Sequence, residues 1–398
     1  MRFFVRLSAL LAAALLLNAC EQHAAPALDQ QLYVWQRQWT PAHEAALRDS
    51  RAGFSTLRVL ALQAFPQEGW RRARIDSALL KQDGRPLIAV IRLDGQLPSL
   101  DKQQIIGQIQ QVLADWQTQG LTVSGVEIDH DAGNARLPDY RTFLTQLRAE
   151  LPRALPLSIT ALPAWLDSAQ LAELLASVDS SVLQVHAVSD PRRGLFDAKQ
   201  AKQWAQAWSR VTTKPFYLAL PAYGVALLPG AGGAPVVESE VPVERVGKRR
   251  ELLADPLQLS QLGAELRDDP PEHLAGLIWF RLPLAGDRRA WSLSTLNAVA
   301  RGDALQTRLS LQLAEQNGLY DIAISNQGNL DSPWPERLTL AVKDCDGADA
   351  LAGYALQQTP DLLTFTRLQD GRIASGGQRA IGWARCAHID QGGSHVYP

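Results

Sequence analysis

The chain has 398 residues, 46% of them hydrophobic and 20% charged, with a formal net charge of −2. That is an ordinary globular composition, long enough for two domains. No basic stripe is present (the "KRR" at 248–250 is isolated), so nothing argues for nucleic acid as a partner.

The first element in chain order is an export leader. "MRFFVRLSALLAAALLLNAC" sets Arg2 and Arg6 ahead of an apolar run over 7–17, with small residues before Cys20. The run is too short to span a bilayer. The "LNAC" ending resembles a bacterial lipobox. That implies lipidation at Cys20, membrane attachment through the lipid, and an exported lipoprotein on the periplasmic face of a membrane. Residues 1–20 are then a signal peptide and 21–30 a tether. After Cys20 only Cys345 and Cys386 remain, and in an exported protein two late cysteines point to a disulfide rather than a metal site. No CxxC, HExxH, Walker or GxGxxG pattern occurs, so no metal and no cofactor is implied.

From residue 31 short apolar runs alternate with helical patterns. The runs cover 32–39, 56–65, 86–95, 121–130, 155–165, 181–188, 215–224 and 274–283. Helical segments between them include 101–118 and 139–151; in the second, Tyr140, Phe143, Leu144 and Leu147 repeat at three and four. Eight strand–helix units over 31–300 fit a (β/α)8 barrel. The rival is a doubly wound open sheet, which usually carries a Gly-rich turn after its first strand. "WQRQWTP" has no glycine there, which favours the barrel.

A 19-residue stretch after the seventh strand, "VALLPGAGGAPVVESEVPV" at 225–243, reads as a flap over the barrel mouth. Past residue 300 the pattern changes to alternating strands at 308–316, 320–328, 337–345, 361–369 and 379–386, with turn residues between them. This predicts a small antiparallel β-sandwich over 301–398, which a Cys345–Cys386 bridge between two strand ends would staple.

The fourth strand raises a chemical question. In "LTVSGVEIDHDAG" Glu127, Asp129 and Asp131 sit two apart and so share one strand face, with Val126 and Ile128 on the other. In a barrel that face is the interior, where an unpaired carboxylate is costly. The ladder climbs toward the C-terminal end of the strand, where barrel enzymes keep their sites. By the same parity Arg92 and Asp94 face in on the third strand, Ser158 and Thr160 on the fifth, Gln184 and His186 on the sixth, and Trp279 and Arg281 on the eighth. The expected mouth is a polar cup with aromatic walls from Trp279, Tyr223 and Trp35.

The fourth strand resembles that of glycoside hydrolase family 18, the chitinase-like barrels, whose signature is DGxDxDxE. Here the chain reads Ser124-Gly125-Val126-Glu127-Ile128-Asp129-His130-Asp131. "FYLALPAYG" is similar to the family's seventh strand and "LIWFRL" to its eighth, whose Trp floors the sugar site. The chain also resembles a bacterial family of unassigned function, number 3142 in the domain-of-unknown-function series.

The family 18 resemblance implies a substrate-assisted, retaining reaction. Asp131 would be the acid, Asp129 the residue that orients the substrate's N-acetyl group, and Glu127 their support. Trp279, Tyr223, His186, Gln184, Arg92, Trp35 and Arg281 would bind a polysaccharide. The chain departs from the pattern where Asp131 replaces the catalytic Glu. It departs again on the sixth strand, where Gln184 and His186 stand in place of the family's Met-x-Tyr-Asp. An envelope lipoprotein that binds a glycan or a protein without catalysis is the alternative expectation.

Overall fold

The computed structural model describes residues 27–186, 194–228, 236–238, 250–351 and 353–397. The leader, Cys20 and most of the expected tether lie outside the described residues, as does most of the stretch read as a flap. Among the described residues no helix is long and apolar enough to cross a membrane.

Eight strands, β1 (Asp29–Val34), β2 (Thr56–Phe65), β3 (Leu87–Leu93), β4 (Val123–His130), β5 (Leu157–Ala161), β6 (Ser180–Gln184), β7 (Phe216–Pro221) and β8 (Leu274–Phe280), pair in parallel in chain order. β1 pairs with both β2 and β8, which closes the barrel. The helices α1 (Ala42–Ser50), α2 (Ser77–Asp83), α3 (Lys102–Thr118), α4 (Leu137–Glu150), α5 (Leu171–Ala176), α6 (Ala198–Ser209), α7 (Pro256–Asp268) and α8 (Leu293–Arg301) follow the strands one by one. This is the expected (β/α)8 architecture.

The helices start where the sequence supplies a cap. Asp101 accepts from the Gln104 amide at 3.0 Å, Asp197 from Gln200 and Ser292 from Thr295. Each satisfies an amide that the first turn leaves without a partner. In α3 Ile105, Ile106, Ile109, Val112 and Trp116 are buried, a stripe at three and four that packs on the strands. The main core lies between strands and helices. The lumen has its own small apolar layer, Tyr33, Val90, Val182, Ala219 and Ile278.

Past α8 the chain is antiparallel throughout. Strands β9 (Leu309–Gln316), β10 (Leu319–Asn326), β11 (Arg337–Ala350), β12 (Tyr354–Thr359), β13 (Leu362–Arg367) and β14 (Gln378–Tyr397) pair in the order β9-β10-β14-β11-β13-β12. Ser332–Pro333 and Arg372–Ile373 form a separate two-stranded ribbon. Register shifts interrupt the β11–β14 ladder at Thr339/Ala341 and Cys345/Gly347, and such bulges bend long strands. Cys345 and Cys386 stand opposite each other in that ladder and are disulfide-bonded. Asp331 fastens this unit to the barrel: its carboxylate accepts from the Ser292 amide and the Thr295 hydroxyl at the start of α8, and from the Ser375 amide.

Candidate functional site at the barrel mouth

The three carboxylates of β4 face the lumen at three depths. Glu127 is deepest and fully buried. Tyr33 Oη donates to its Oε1 at 2.6 Å and Thr160 Oγ1 at 3.2 Å, while Arg58 Nη1 donates to Oε2. Arg58 is itself buried, and its Nε donates to Gln31 Oε1 at 2.8 Å. Its guanidinium also lies 5.3 Å over the Tyr217 ring. Hydrogen bonds must offset the desolvation of a buried ion pair, and here both Glu127 oxygens accept while Arg58 donates through Nε and Nη1. Glu127 therefore anchors the ladder to β1, β2 and β5.

Asp129, one step higher, is 2% exposed. Arg92 Nη1 donates to its Oδ2 at 2.7 Å, and its Oδ1 is buried with no hydrogen-bond partner among the described residues. Burial pushes the Asp129 carboxyl up to about 6; Arg92 opposes that rise and the Asp131 charge adds to it. Asp131 stands at the rim, its side chain 34% exposed, and Arg92 Nη2 donates to its Oδ2 at 2.5 Å. One guanidinium thus bridges the upper two carboxylates. Burial works against the Arg92 charge, but the two carboxylates outweigh it and its pKa rises. The loop after β3 touches Asp131: a Cβ on Gly95 would lie 2.4 Å from the Asp131 carbonyl oxygen, so only glycine lets that backbone pass.

Above the ladder lies a cavity of about 330 Å³, lined by residues of every barrel strand or the loop that follows it. Pockets for small ligands begin near ~300 Å³. Trp35 and Phe280 meet edge to face at 5.0 Å, and Tyr223 meets Phe280 at 5.4 Å. The His186 ring stacks on Phe280 at 5.6 Å, with its Nδ1 3.3 Å from the Tyr223 hydroxyl. Burial pulls the His186 pKa down to about 4, so the ring is neutral at physiological pH, and its Nε2 is buried without a hydrogen-bond partner among the described residues. Gln184 and Arg281 complete this side, and Arg281 Nη2 donates to Asp287 Oδ2 at 3.0 Å.

Of the expected binding residues, Arg92, Trp35, Tyr223, His186, Gln184 and Arg281 all line this cavity together with Asp129 and Asp131. Trp279 does not. It is buried on the helix side of β8, with Nε1 donating to Gln30 Oε1 at 2.8 Å and its ring 6.0 Å from that of Trp291. Lumen-facing Ile278 and Phe280 set the parity of β8, so the aromatic wall is Phe280. The expectation for Trp279 fails because two adjacent aromatics present the same chemistry to either face.

Tyr33, Arg58 and Gln63 complete the lumen and were not anticipated. The signal for Arg58 was available as a lone arginine in the apolar run "TLRVLALQAF". Gln63 was harder to find, because the β2–β3 register slips between Leu60 and Leu62, which brings residues 58 and 63 to the same face.

A family model described as "Domain of unknown function (DUF3142)" matches residues 83–285, half of the chain. The chain belongs to this family. A second model, "Domain of unknown function (DUF8456)", matches residues 309–387, within the C-terminal sheet of this DUF3142 protein. No curated protein matches it.

Among solved structures the barrel is remotely similar to family 18 glycoside hydrolases. A chitinase from Bacteroides thetaiotaomicron superposes with a TM-score of 0.51 at 9% identity, over 69% of this chain and 97% of that one. The spore cortex-lytic enzyme SleL of Bacillus cereus gives 0.49 at 15%, over 69% and 74%. The GH18 chitinase ChiB of Flavobacterium johnsoniae gives 0.49 at 12%, over 69% and 94%. At such identities the likeness is one of fold.

Proposed function

We propose that the DUF3142 barrel binds a carbohydrate in its mouth, as an exported protein tethered to the periplasmic face of a membrane through Cys20. The observation that carries the reading is the meeting of the Arg92–Asp129–Asp131 cluster with the Trp35–Phe280–Tyr223 wall around one cavity. Sugars present hydroxyl edges to charged acceptors and apolar faces to rings, and the cavity offers both. The unpartnered Asp129 Oδ1 accepts from a hydroxyl or amide of a bound sugar. Likeness to chitinases supports a polysaccharide ligand and does not choose the sugar.

The geometry favours binding over hydrolysis. Arg92 ties down Asp131 Oδ2, on the residue in the family's acid position, and Asp131 has a shorter side chain than Glu. One observation supports hydrolysis: Asp129, with its pKa near 6, keeps a share of its protons close to neutrality. Titration of the protein with a panel of envelope oligosaccharides, followed by assay of released reducing ends, separates the two. Binding without release supports the binding reading. Release that falls by about 10² to 10⁴ in Asp129→Asn supports hydrolysis. Binding to no member of a broad panel sinks both.

A further inference from the structure

A second cavity opens beside the mouth, on the same end of the barrel. It has a volume of about 710 Å³ and lies where α1 and α2 begin, walled by the connections that leave β1 and β2. Trp35 and Arg37 line the mouth; the chain bends at Arg37, and Trp39 lines the second cavity. Backbone joins the two. The Arg74 amide donates to the Arg37 carbonyl at 2.8 Å, and the Trp39 amide to the Arg74 carbonyl at 3.1 Å. Four residues of chain span at most about 14 Å, so one short oligosaccharide can reach from Trp35 to Trp39.

Trp39 differs from the core tryptophans. Trp165, Trp208, Trp279 and Trp291 are fully buried, and each donates its Nε1 hydrogen to an oxygen. Trp39 is half-buried, and its Nε1 has no hydrogen-bond partner among the described residues. An unmade bond of that kind costs stability, so packing alone is a poor account of this residue. The ring is nonetheless held in place. The fully buried His43 ring stacks on it at 4.7 Å and 9°, and the Thr40 amide donates to His43 Nδ1 at 3.0 Å. A ring fixed in advance has little freedom left to lose when a ligand arrives. Around it Glu44, Arg74 and Gln82 are exposed, and their side chains have no hydrogen-bond or ion-pair partner among the described residues. A fixed ring edged by uncommitted polar groups suits the apolar face and hydroxyl edge of a sugar. Glu44 and Asp76 stand against Arg74 alone, so the cavity has no excess of cations for an acidic chain.

We propose that this cavity is an outer subsite for a linear, neutral polysaccharide whose next sugars occupy the mouth; the inference rests on the carbohydrate reading above. The glycan crosses the rim between Trp35 and Trp39, and both contacts act on one ligand. Once the mouth is occupied the second contact is intramolecular, so affinity rises with the length of the glycan.

The test is calorimetric titration of the full chain with the dimers and hexamers of cello- and chito-oligosaccharides. The expected result is that a hexamer binds more tightly than its dimer by about three- to tenfold. Trp39→Ala should bring the hexamer down to the dimer and leave the dimer unchanged, while Trp39→Phe keeps part of the gain. Arg74→Ala changes an exposed side chain, so it carries the test even if Trp39→Ala fails to fold; it too should lower the hexamer and spare the dimer. A hexamer no tighter than its dimer, or a gain that survives in folded Trp39→Ala or in Arg74→Ala, overturns the proposal and leaves the carbohydrate reading standing. Equal losses for dimer and hexamer in Trp39→Ala overturn it too, since the ring would then only shape the mouth. Binding of neither series overturns the choice of a neutral glycan, and the carbohydrate reading then stands or falls with the wider panel.

Discussion

Asp129 and His186 face one cavity and titrate with opposite consequences. The Asp129 carboxyl is raised from 3.8 to about 6 on folding, so between these values the folded protein holds a proton that the unfolded chain has released. Its contribution to stability is therefore full below pH 3.8 and lost as pH rises through 6. His186 is lowered from 6.5 to about 4, so its contribution is full above 6.5 and lost as pH falls through 4. Thermal melts from pH 4 to 7 should show the terms partly cancelling in the wild type. Asp129→Asn should steepen the rise of stability with pH, and His186→Gln should flatten it. Identical profiles for all three proteins would contradict both assignments.

The two neighbouring aromatics of β8 separate binding from folding. Phe280→Ala removes a ring from the mouth, so carbohydrate affinity should drop by about three- to tenfold with a small change in melting temperature. Trp279→Ala empties a site in the outer core and should cost about 3–5 kcal/mol of stability while leaving the affinity of the folded fraction intact. Affinity lost in Trp279→Ala and kept in Phe280→Ala would restore the parity expected from sequence.

At the scale of elements, legibility depended on regularity. Past a register shift at its start, between Val123 and Gly125, β4 pairs without a break, so a period of two placed Glu127, Asp129 and Asp131 on the lumen side from sequence alone. α3 and α4 were legible for the same reason, with buried residues at three and four. β2 was not, because its slip near Ala61 breaks the parity on which face assignment rests. The C-terminal sheet was under-read: β12 was missed, and β11 and β14 run to 14 and 20 residues because bulges carry pairing past points where alternation falters.

The buried partner of Glu127 gives a sharp test at this scale. Arg58→Met leaves a carboxylate without its counter-charge and should destabilise by about 3–5 kcal/mol, whereas Arg58→Met combined with Glu127→Gln should recover part of that loss. No recovery in the double variant, measured by denaturant titration, would argue that the pair is held by packing alone. The Cys345–Cys386 bond closes a separation of 41 residues, so its reduction should cost about 3–4 kcal/mol, read as a lower melting temperature under reductant.

At the scale of the whole molecule, one buried carboxylate couples the two units. Asp331 accepts hydrogen bonds from α8 and from the Ser375 amide, so Asp331→Ala should split a single melting transition into two, seen by calorimetry. The proposed anchor makes a separate prediction: Cys20→Ser should release the protein from membranes into the soluble periplasmic fraction. Wild-type protein already soluble there, with an unmodified amino terminus, would remove the anchor.

β1 begins at Asp29, at the end of the barrel opposite the mouth, because all eight strands run in the same direction. Eight residues lie between it and Cys20, a leash of about 30 Å at full stretch. Were Cys20 fixed in a bilayer, the closed floor of the barrel would hover over the lipid and the opening would look outward. Such a protein samples what passes above the membrane and is badly placed to reach a sugar still attached to a lipid in its own leaflet. Lengthening the leash with a flexible insert would relax that outlook and bring membrane-bound glycans within reach.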